Sequence, residues 1–296
     1  MSSFEQNIAG FIEDIDNYLL SKLPIETMPP ENLHKAMHYS VMNGGKRIRP
    51  LLTFASAKGL KLDHKVLIPA AAAIELLHCF SLVHDDLPCM DDDDLRRGRP
   101  STHKVFGEAT AVLAADALLS LSFEILASDL SFGGTSLNNS SLISLISNAT
   151  GSKGITGGQQ LDLNAEEKII SQSKLEHIYR QKTGKLLRAC VLAPSCFIDM
   201  SLEKMSAIEK YIDAIGLAFQ IKDDIIEAEG STEIIGKSST SDIRQGKSTF
   251  PILFGLEESK KRISELIELA QDEISVFEEN AIPLQYMAES IISRKF

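Results

Sequence analysis

Carboxylates crowd one stretch of this 296-residue chain, LVHDDLPCMDDDDLRRGRPS, which covers residues 82–101. Aspartates packed this tightly repel one another unless a cation lies among them. Mg²⁺ takes hard oxygen ligands and is typically held by a few carboxylates, while waters and substrate phosphates complete its coordination. The stretch therefore predicts part of a magnesium site for a phosphorylated ligand, with a solvated acidic loop as the alternative.

The end of a helix positions the first of these carboxylates. His78, Ser81 and Asp85 follow one another at i, i+3 and i+7, so they share one helix face. Pro88 has no N–H to donate and disfavours helix just before it, so the helix is predicted to end or bend there. Such a bend could bring Asp91 back beside Asp85.

A second acidic cluster, in AFQIKDDIIEAEG, makes the metal interpretation more specific. Asp223, Asp224 and Glu227 occupy positions i, i+1 and i+4, so their carboxylates are predicted to lie toward one side of a helix, joined by Gln220. Like charges three or four residues apart destabilise a helix unless they are compensated. Two such clusters on separate apolar helices predict two halves of one metal site that face each other across a cavity.

Basic residues beside turns predict phosphate ligands in a chain whose net charge is −11. Arginine offers a fork of N–H donors, and lysine a point charge. A solvated surface is the alternative for most lysines, but it fits poorly where the residue lies at an element junction. The basic residues of these segments are Lys46, Arg47, Arg49, Arg96, Arg97, Arg99, Arg180, Lys182, Lys185, Lys237, Arg244 and Lys247.

Helical periodicity dominates the elements that must position these groups. Apolar residues recur three and four apart in most segments, and alternating strand patterns with hairpin turns are missing. We predict one all-α domain that spans residues 1–296, with roughly ten helices. Gly184 interrupts a helical run, where it could kink the helix and turn the Lys182 carbonyl toward the cavity, or simply pack against a neighbour.

Composition excludes several other classes of protein. The acidic balance argues against general nucleic-acid binding. The four cysteines show no CxxC spacing, so free thiols in a reducing cytoplasm are predicted. The N-terminus has no basic start and no continuous apolar run, which excludes a secretory signal. Charged residues break the most apolar segments, so no plain membrane span is predicted.

Seven segments, in order, resemble the isoprenyl diphosphate synthases: GGKRIRP, SLVHDDLPCMDDDDLRRGRPSTH, GEATAVLAADAL, TGGQQLDL, YRQKTGKLL, FQIKDDIIE and GKSSTSDIRQGKSTFP. The first aspartate motif has the expanded form DDxxxxD of bacterial members, and the chain is most similar to those that make farnesyl diphosphate. The resemblance implies an all-α, single-domain helical bundle around a large central cavity. It also implies a cytoplasmic enzyme, usually a homodimer.

The resemblance also implies a role for each matching residue. The diphosphate of isopentenyl diphosphate would be bound by Lys46, Arg49, His78 and Arg97. The allylic diphosphate would be contacted by Arg96, Lys182 and Lys237, under a closing loop that contains Lys247. About three Mg²⁺ ions would be held by Asp85, Asp86 and Asp91 on one side and by Asp223, Asp224 and Glu227 on the other. The developing carbocation would lie near Thr183, Gln220 and the Lys182 carbonyl.

Two positions depart from the family pattern. Glu227 stands where the family usually has Asp, and a longer carboxylate could still reach metal-bound water. Ala115 stands where Gly is common, which implies only a packing change.

Residues just before the first motif set product length in this family, and here they are Phe80 and Ser81. An aromatic at this place implies a fifteen-carbon product, made from isopentenyl diphosphate with dimethylallyl and then geranyl diphosphate. The alternatives are a geranylgeranyl or geranyl diphosphate synthase, a class I terpene cyclase, a non-catalytic subunit of a heteromeric synthase, and a plain cation-binding protein.

Overall fold

Helices form nearly all of the regular structure in the computed structural model, which describes residues 3–128, 136–166, 168–229 and 248–293. The α-helices are α1 (Ser3–Gln6), α2 (Ile8–Lys22), α3 (Glu31–Met42), α4 (Ile48–Gly59), α5 (Ile68–Asp85), α6 (Thr102–Phe106), α7 (Glu108–Ser128), α8 (Ser136–Thr150), α9 (Ile155–Leu163), α10 (Gln172–Tyr179), α11 (Lys185–Leu192), α12 (Leu202–Glu229), α13 (Phe250–Phe254), α14 (Leu256–Glu273) and α15 (Ile282–Ser293). Short 3₁₀ segments cover His64–Leu67, Ala193–Cys196 and Ile274–Ala281, and a π-helical segment covers Arg180–Gly184. The all-α prediction is confirmed.

The central helix of the fold is α5, which ends at the first acidic cluster. Its residues from Ile68 to Leu77 are buried without interruption, because most are Ala, Ile or Leu and the charged Glu75 is paired with Arg47. α5 packs along α7, and α12, which carries the second acidic cluster, packs along α14. Both clusters are therefore anchored on long helices with many packing neighbours.

A small β-hairpin follows the first acidic cluster, where the sequence predicted no strand. Strands β1 (Leu95–Arg96) and β2 (Arg99–Pro100) pair in antiparallel register. The turn between them, Arg97 and Gly98, has φ values of 54° and 75°. A two-residue turn with positive φ at both positions matches the twist of a hairpin. The prediction failed here because strands of two residues are too short to show an alternating pattern.

Two helical segments have the length and composition of a membrane span, namely His64–Asp85 and α7. In the first, 78% of the apolar window is buried inside the protein, against 39% in α7. Core helices pass the same test of length and composition, so neither segment is a clear membrane span. α7 does keep an exposed apolar face, with Val112 at 38% and Leu113 at 57% exposure.

Candidate active site

The first acidic cluster forms where α5 ends and the chain turns back on itself. The Asp91 N–H donates to the Asp85 carbonyl at 2.8 Å, and the Met90 N–H donates to the Leu87 carbonyl, also at 2.8 Å. Pro88 stops the helix and closes this turn. The predicted bend is confirmed, and it places Asp91 beside Asp85.

Burial raises the pKa of Asp85 to about 6. The nearby charge of Lys182 opposes this shift, while Asp91 and Asp86 add to it. A half-buried carboxylate that is crowded by other carboxylates is poorly solvated, so a hard cation would stabilise its ionised form. The donor set of Asp85 and Asp91 therefore fits Mg²⁺.

Asp86, one residue further on, has a different environment. It is 3% exposed and accepts hydrogen bonds from Nε (2.9 Å) and Nη2 of Arg96, which lies on β1. Arg96 Nη2 also contacts Asp93 at 3.3 Å. The carboxylate of Asp86 thus ties the hairpin to the end of α5. To bind metal as predicted, Asp86 would have to release Arg96, and to bind diphosphate as predicted, Arg96 would have to release Asp86.

Lys182 lies in the π-helical segment, opposite the first cluster. Its ammonium donates to Asp162 on α9 at 2.8 Å. Burial alone would lower the pKa of Lys182, but Asp162, Asp85 and Asp91 raise it, so Lys182 stays charged. The sequence did not single out Asp162, although it lies in the TGGQQLDL segment that matched the family.

Gly158 permits the close approach of α9 to the π-helical segment. A Cβ at Gly158 would lie 2.2 Å from the backbone nitrogen of Lys182 and 2.4 Å from its Cα, so no larger residue fits without displacing backbone. π-Helical turns occur often at functional sites. Gly184 ends the π-helical segment with helical dihedrals and lies against Gly216 of α12, which supports the packing alternative for the glycine itself.

Thr183, next to Lys182, points to the second cluster. Its hydroxyl donates to Gln220 Oε1 at 2.8 Å. Gln220 Nε2 in turn donates to Asp224 at 3.3 Å. Asp224 is 5% exposed and also accepts from the Tyr179 hydroxyl and from the Phe250 N–H at 3.0 Å. The Asp224 carboxylate therefore joins α10, α12 and α13.

The second cluster lies along one side of α12. At about 100° of rotation per residue, Gln220, Asp223, Asp224 and Glu227 fall within an arc of roughly 100°. Gln220, Asp223 and Glu227 are half-buried, whereas Asp224 is buried. Asp224 differs in burial because Tyr179 and the backbone of Phe250 cover its carboxylate.

Positive charge collects around His78 on α5. Burial lowers the pKa of His78 well below its usual value, and Arg49, Arg97 and Arg96 lower it further, so its imidazole is neutral at pH 7. Arg49 has a buried Nε with no hydrogen-bond partner in the described residues, and Asp223 is among its charged neighbours. The structure thus brings Arg49, His78 and Arg97 together, and Lys46 lies exposed on the loop between α3 and α4.

Arg97 links this loop to the hairpin. Its Nη1 donates to the Gly44 carbonyl, and its guanidinium covers Gly45, where a Cβ would meet it at 2.6 Å. Arg47, between the predicted anion ligands Lys46 and Arg49, is a core residue. It is 3% exposed and donates to Asp16 at 2.8 Å and to Glu75 at 2.9 Å.

The two residues that were predicted to set product length lie on α5, in the turn before the first acidic cluster. Phe80 is 9% exposed and contacts the His84 ring edge-on, with 4.8 Å between ring centroids. Ser81 donates its hydroxyl to the His78 carbonyl at 2.9 Å. Lys237 and Lys247 lie outside the described residues.

Comparison with known proteins identifies relatives over nearly the whole chain. A protein-family model described as "Polyprenyl synthetase" matches residues 30–281. Farnesyl diphosphate synthase of Bacillus subtilis is 42% identical over 89% of this chain and 90% of its own length. That of Escherichia coli is 40% identical over 98% and 99%. A solved FPP/GFPP synthase from Zymomonas mobilis aligns with a TM-score of 0.87 at 35% identity, over 98% of this chain and 99% of that one.

Proposed function

Because the chain belongs to the polyprenyl synthetase family, we propose that it is a farnesyl diphosphate synthase. It would couple isopentenyl diphosphate to dimethylallyl diphosphate, and then to geranyl diphosphate, to give the fifteen-carbon product. The observation that best supports this is the π-helical segment. Lys182 lies beside Asp85 and Asp91 of the first cluster, while the adjacent Thr183 bonds Gln220 of the second.

Isopentenyl diphosphate would bind at the basic group of Lys46, Arg49, His78 and Arg97. The buried Nε of Arg49 and the fork of Arg97 offer directed donors for a diphosphate. Because the imidazole of His78 is neutral at pH 7, it would contribute a hydrogen bond rather than a charge. No proton transfer by a side chain is needed for this binding.

The allylic diphosphate would bind between the two acidic clusters. Asp85, Asp91, Asp223 and Glu227 would hold Mg²⁺, and Asp86 and Asp224 would position their neighbours instead of binding metal. When bound, Mg²⁺ would neutralise charge on the departing diphosphate as a Lewis acid. Lys182 would contact the same diphosphate, joined by Arg96 if it turns from Asp86, and by Lys237 and Lys247.

Thr183, Gln220 and the Lys182 carbonyl would orient oxygen atoms toward the allylic carbon as positive charge develops there. The isopentenyl double bond would then form the new C–C bond, and a proton would leave, most simply to the released diphosphate. Exclusion of water by the residues around the site would prevent capture of the cation by hydroxide or water.

Phe80 would limit the product to fifteen carbons, since its ring is held in place by His84. The test is to incubate the purified chain with Mg²⁺, isopentenyl diphosphate and dimethylallyl diphosphate and to identify the product. We expect farnesyl diphosphate, and a longer product from Phe80→Ala. Geranylgeranyl or geranyl diphosphate from the unaltered chain would instead favour the alternative synthases, and no product would favour a non-catalytic subunit.

We also propose that the chain forms a homodimer and that it is cytoplasmic. The exposed apolar residues Val112 and Leu113 on α7 suit the packing of a second copy. One hydrophobic core that extends from Phe4 to Ile291 supports a single domain. Sedimentation equilibrium would give the mass of a dimer, and a monomer at micromolar concentration would contradict the assignment.

A further inference from the structure

A second group of cation ligands lies next to the first acidic cluster but outside it. Asp92, Asp94 and His103 each offer a ligand atom within 4.8 Å of the other two. Asp92 and Asp94 belong to the loop after α5, and His103 belongs to the first turn of α6. The functions proposed above assign no role to any of these three residues.

His103 makes this group more than an acidic surface. Its side chain is 7% exposed, and neither ring nitrogen has a hydrogen-bond partner among the described residues. Leaving a buried polar group unsatisfied is costly, so such groups usually have a partner. The carboxylates of Asp92 and Asp94 are near enough to share a ligand with the ring but form no hydrogen bond to it.

The backbone holds the two aspartates in place without a ligand. The Asp92 N–H donates to the Leu87 carbonyl at 3.1 Å, and the Asp94 carbonyl accepts from the Ser101 N–H at 2.9 Å. Asp92 adopts a φ of 47°, in the left-handed region. The loop that carries both carboxylates is therefore fixed at each end, which lowers the entropic cost of closing a site around an ion.

We propose that Asp92, Asp94 and His103 form a binding site for a divalent transition-metal cation. Imidazole suits Zn²⁺, Co²⁺ and Ni²⁺ better than Mg²⁺, which prefers oxygen ligands alone. Lys104 contacts Asp94 Oδ1 at 2.9 Å, with both side chains largely exposed. An exposed ion pair of this kind contributes little to stability, so it would give way to the cation.

The proposed site differs from the magnesium site in what it needs. It has three ligands of its own from the chain, so it binds the cation without diphosphate. It also connects the loop before β1 to α6, which stabilises the segment between Asp91 and Arg96. The site does not depend on the proposed reaction, because none of its ligands is assigned to a substrate or to the magnesium site above.

Titration of the untagged chain with Co²⁺ in the absence of diphosphate tests the site. A Cys89→Ser background removes the exposed thiol as a competing ligand. We expect one Co²⁺ per chain, bound at least tenfold more weakly in His103→Asn and in Asp94→Asn. The matched control is His64→Asn, because the His64 ring already lies 3.1 Å from Asp14 and 3.2 Å from Asp63. Asp85→Asn is the control for the proposed magnesium ligands.

Two results would overturn the proposal. One is affinity for Co²⁺ that falls in His64→Asn or Asp85→Asn but not in His103→Asn. The other is the absence of binding at the concentrations where free Co²⁺ remains soluble. If His103→Asn unfolds in EDTA at a much lower temperature than the parent chain, the loss of Co²⁺ binding is judged from Asp94→Asn, because the Asp94 side chain is exposed. A rise in melting temperature on adding Zn²⁺, lost in Asp94→Asn, would give an independent measure of the same site.

Discussion

Each acidic cluster contains a pair of adjacent aspartates, and the two members of each pair differ in the same way. Asp85 and Asp223 are half-buried and belong to the proposed site. Asp86 and Asp224 are 3% and 5% exposed and are bonded within the protein. The second aspartate of each pair therefore holds the fold, while the first lies at the proposed metal site.

The partners of the two buried aspartates are different in kind. Asp86 is paired with the guanidinium of Arg96, a cation on the neighbouring hairpin. Within the described part of the chain, the hydrogen-bond donors to Asp224 are neutral: the Tyr179 hydroxyl, the Phe250 N–H and the Gln220 amide. Loss of the Asp224 carboxylate would leave each of these buried donors without its acceptor. The second cluster should therefore be the more sensitive to loss of its anchor.

The largest expected effect is on turnover. Asp85→Asn and Asp223→Asn each remove a proposed metal ligand, and we expect kcat to fall by about 10³-fold or more. The affinity for isopentenyl diphosphate, measured by calorimetry without metal, should change by less than about threefold, because Arg49, His78 and Arg97 remain. Equal losses in turnover and in that affinity would contradict the separation of the two sites.

Loss of the buried anchors should destabilise the fold instead. Asp224→Ala leaves the Tyr179 hydroxyl and the Phe250 N–H without an acceptor, so we expect unfolding free energy to fall by about 3 kcal/mol. Asp86→Ala should cost about 1–2 kcal/mol, since Arg96 can turn toward solvent. Urea titrations followed by circular dichroism measure both values. A larger cost for Asp86→Ala would reverse the comparison.

A smaller change within the second cluster removes one hydrogen bond to Asp224 and keeps its charge. Tyr179→Phe removes only the hydroxyl that donates to Asp224 and keeps the ring, so we expect a loss of about 1 kcal/mol. The matched control is Tyr286→Phe, a half-buried tyrosine in α15 that packs edge-on against Phe4. A loss of the same size in the control would mean that the Tyr179 hydroxyl contributes nothing specific.

The sequence predicted the faces of the helices well because they depend only on spacing. The i, i+3, i+7 pattern and Pro88 were sufficient to place Asp91 beside Asp85. Burial was not predictable in the same way, since the donors to Asp224 lie 45 and 26 residues away in sequence, at Tyr179 and Phe250. Three basic residues within one short segment show the same limit: Lys46 is exposed, Arg47 is in a core ion pair, and Arg49 lies at the site.

The smallest expected effect concerns the pH dependence of stability. Because Asp85 has a pKa of about 6 in the folded chain against a usual 3.8, the folded form binds its proton more tightly than the unfolded form. The ionised carboxylate therefore lowers stability fully above pH 6, and this penalty disappears as the pH falls toward 3.8. In EDTA, Asp85→Asn should raise stability at pH 7.5 by about 1 kcal/mol, and by less at pH 5.

Thermal melts of Asp85→Asn and the parent chain at the two pH values check this expectation. About 1 kcal/mol corresponds to a rise in melting temperature of roughly 2–4 °C for a chain of this size. A gain that grows as the pH falls would have the wrong sign. Asp86→Asn is the control, because Arg96 would lose its partner and stability should fall at pH 7.5.

The division within each aspartate pair is tested most directly by locating the cations. Crystals of the chain with Mn²⁺ in place of Mg²⁺ and an unreactive thio analogue of dimethylallyl diphosphate would show the metals by anomalous scattering. We predict peaks in contact with Asp85, Asp91 and Asp223, with Asp86 still bonded to Arg96 and Asp224 to Tyr179 and Phe250. Manganese bound to Asp86 or Asp224, or a cation set that leaves Asp223 unbound, would contradict the account.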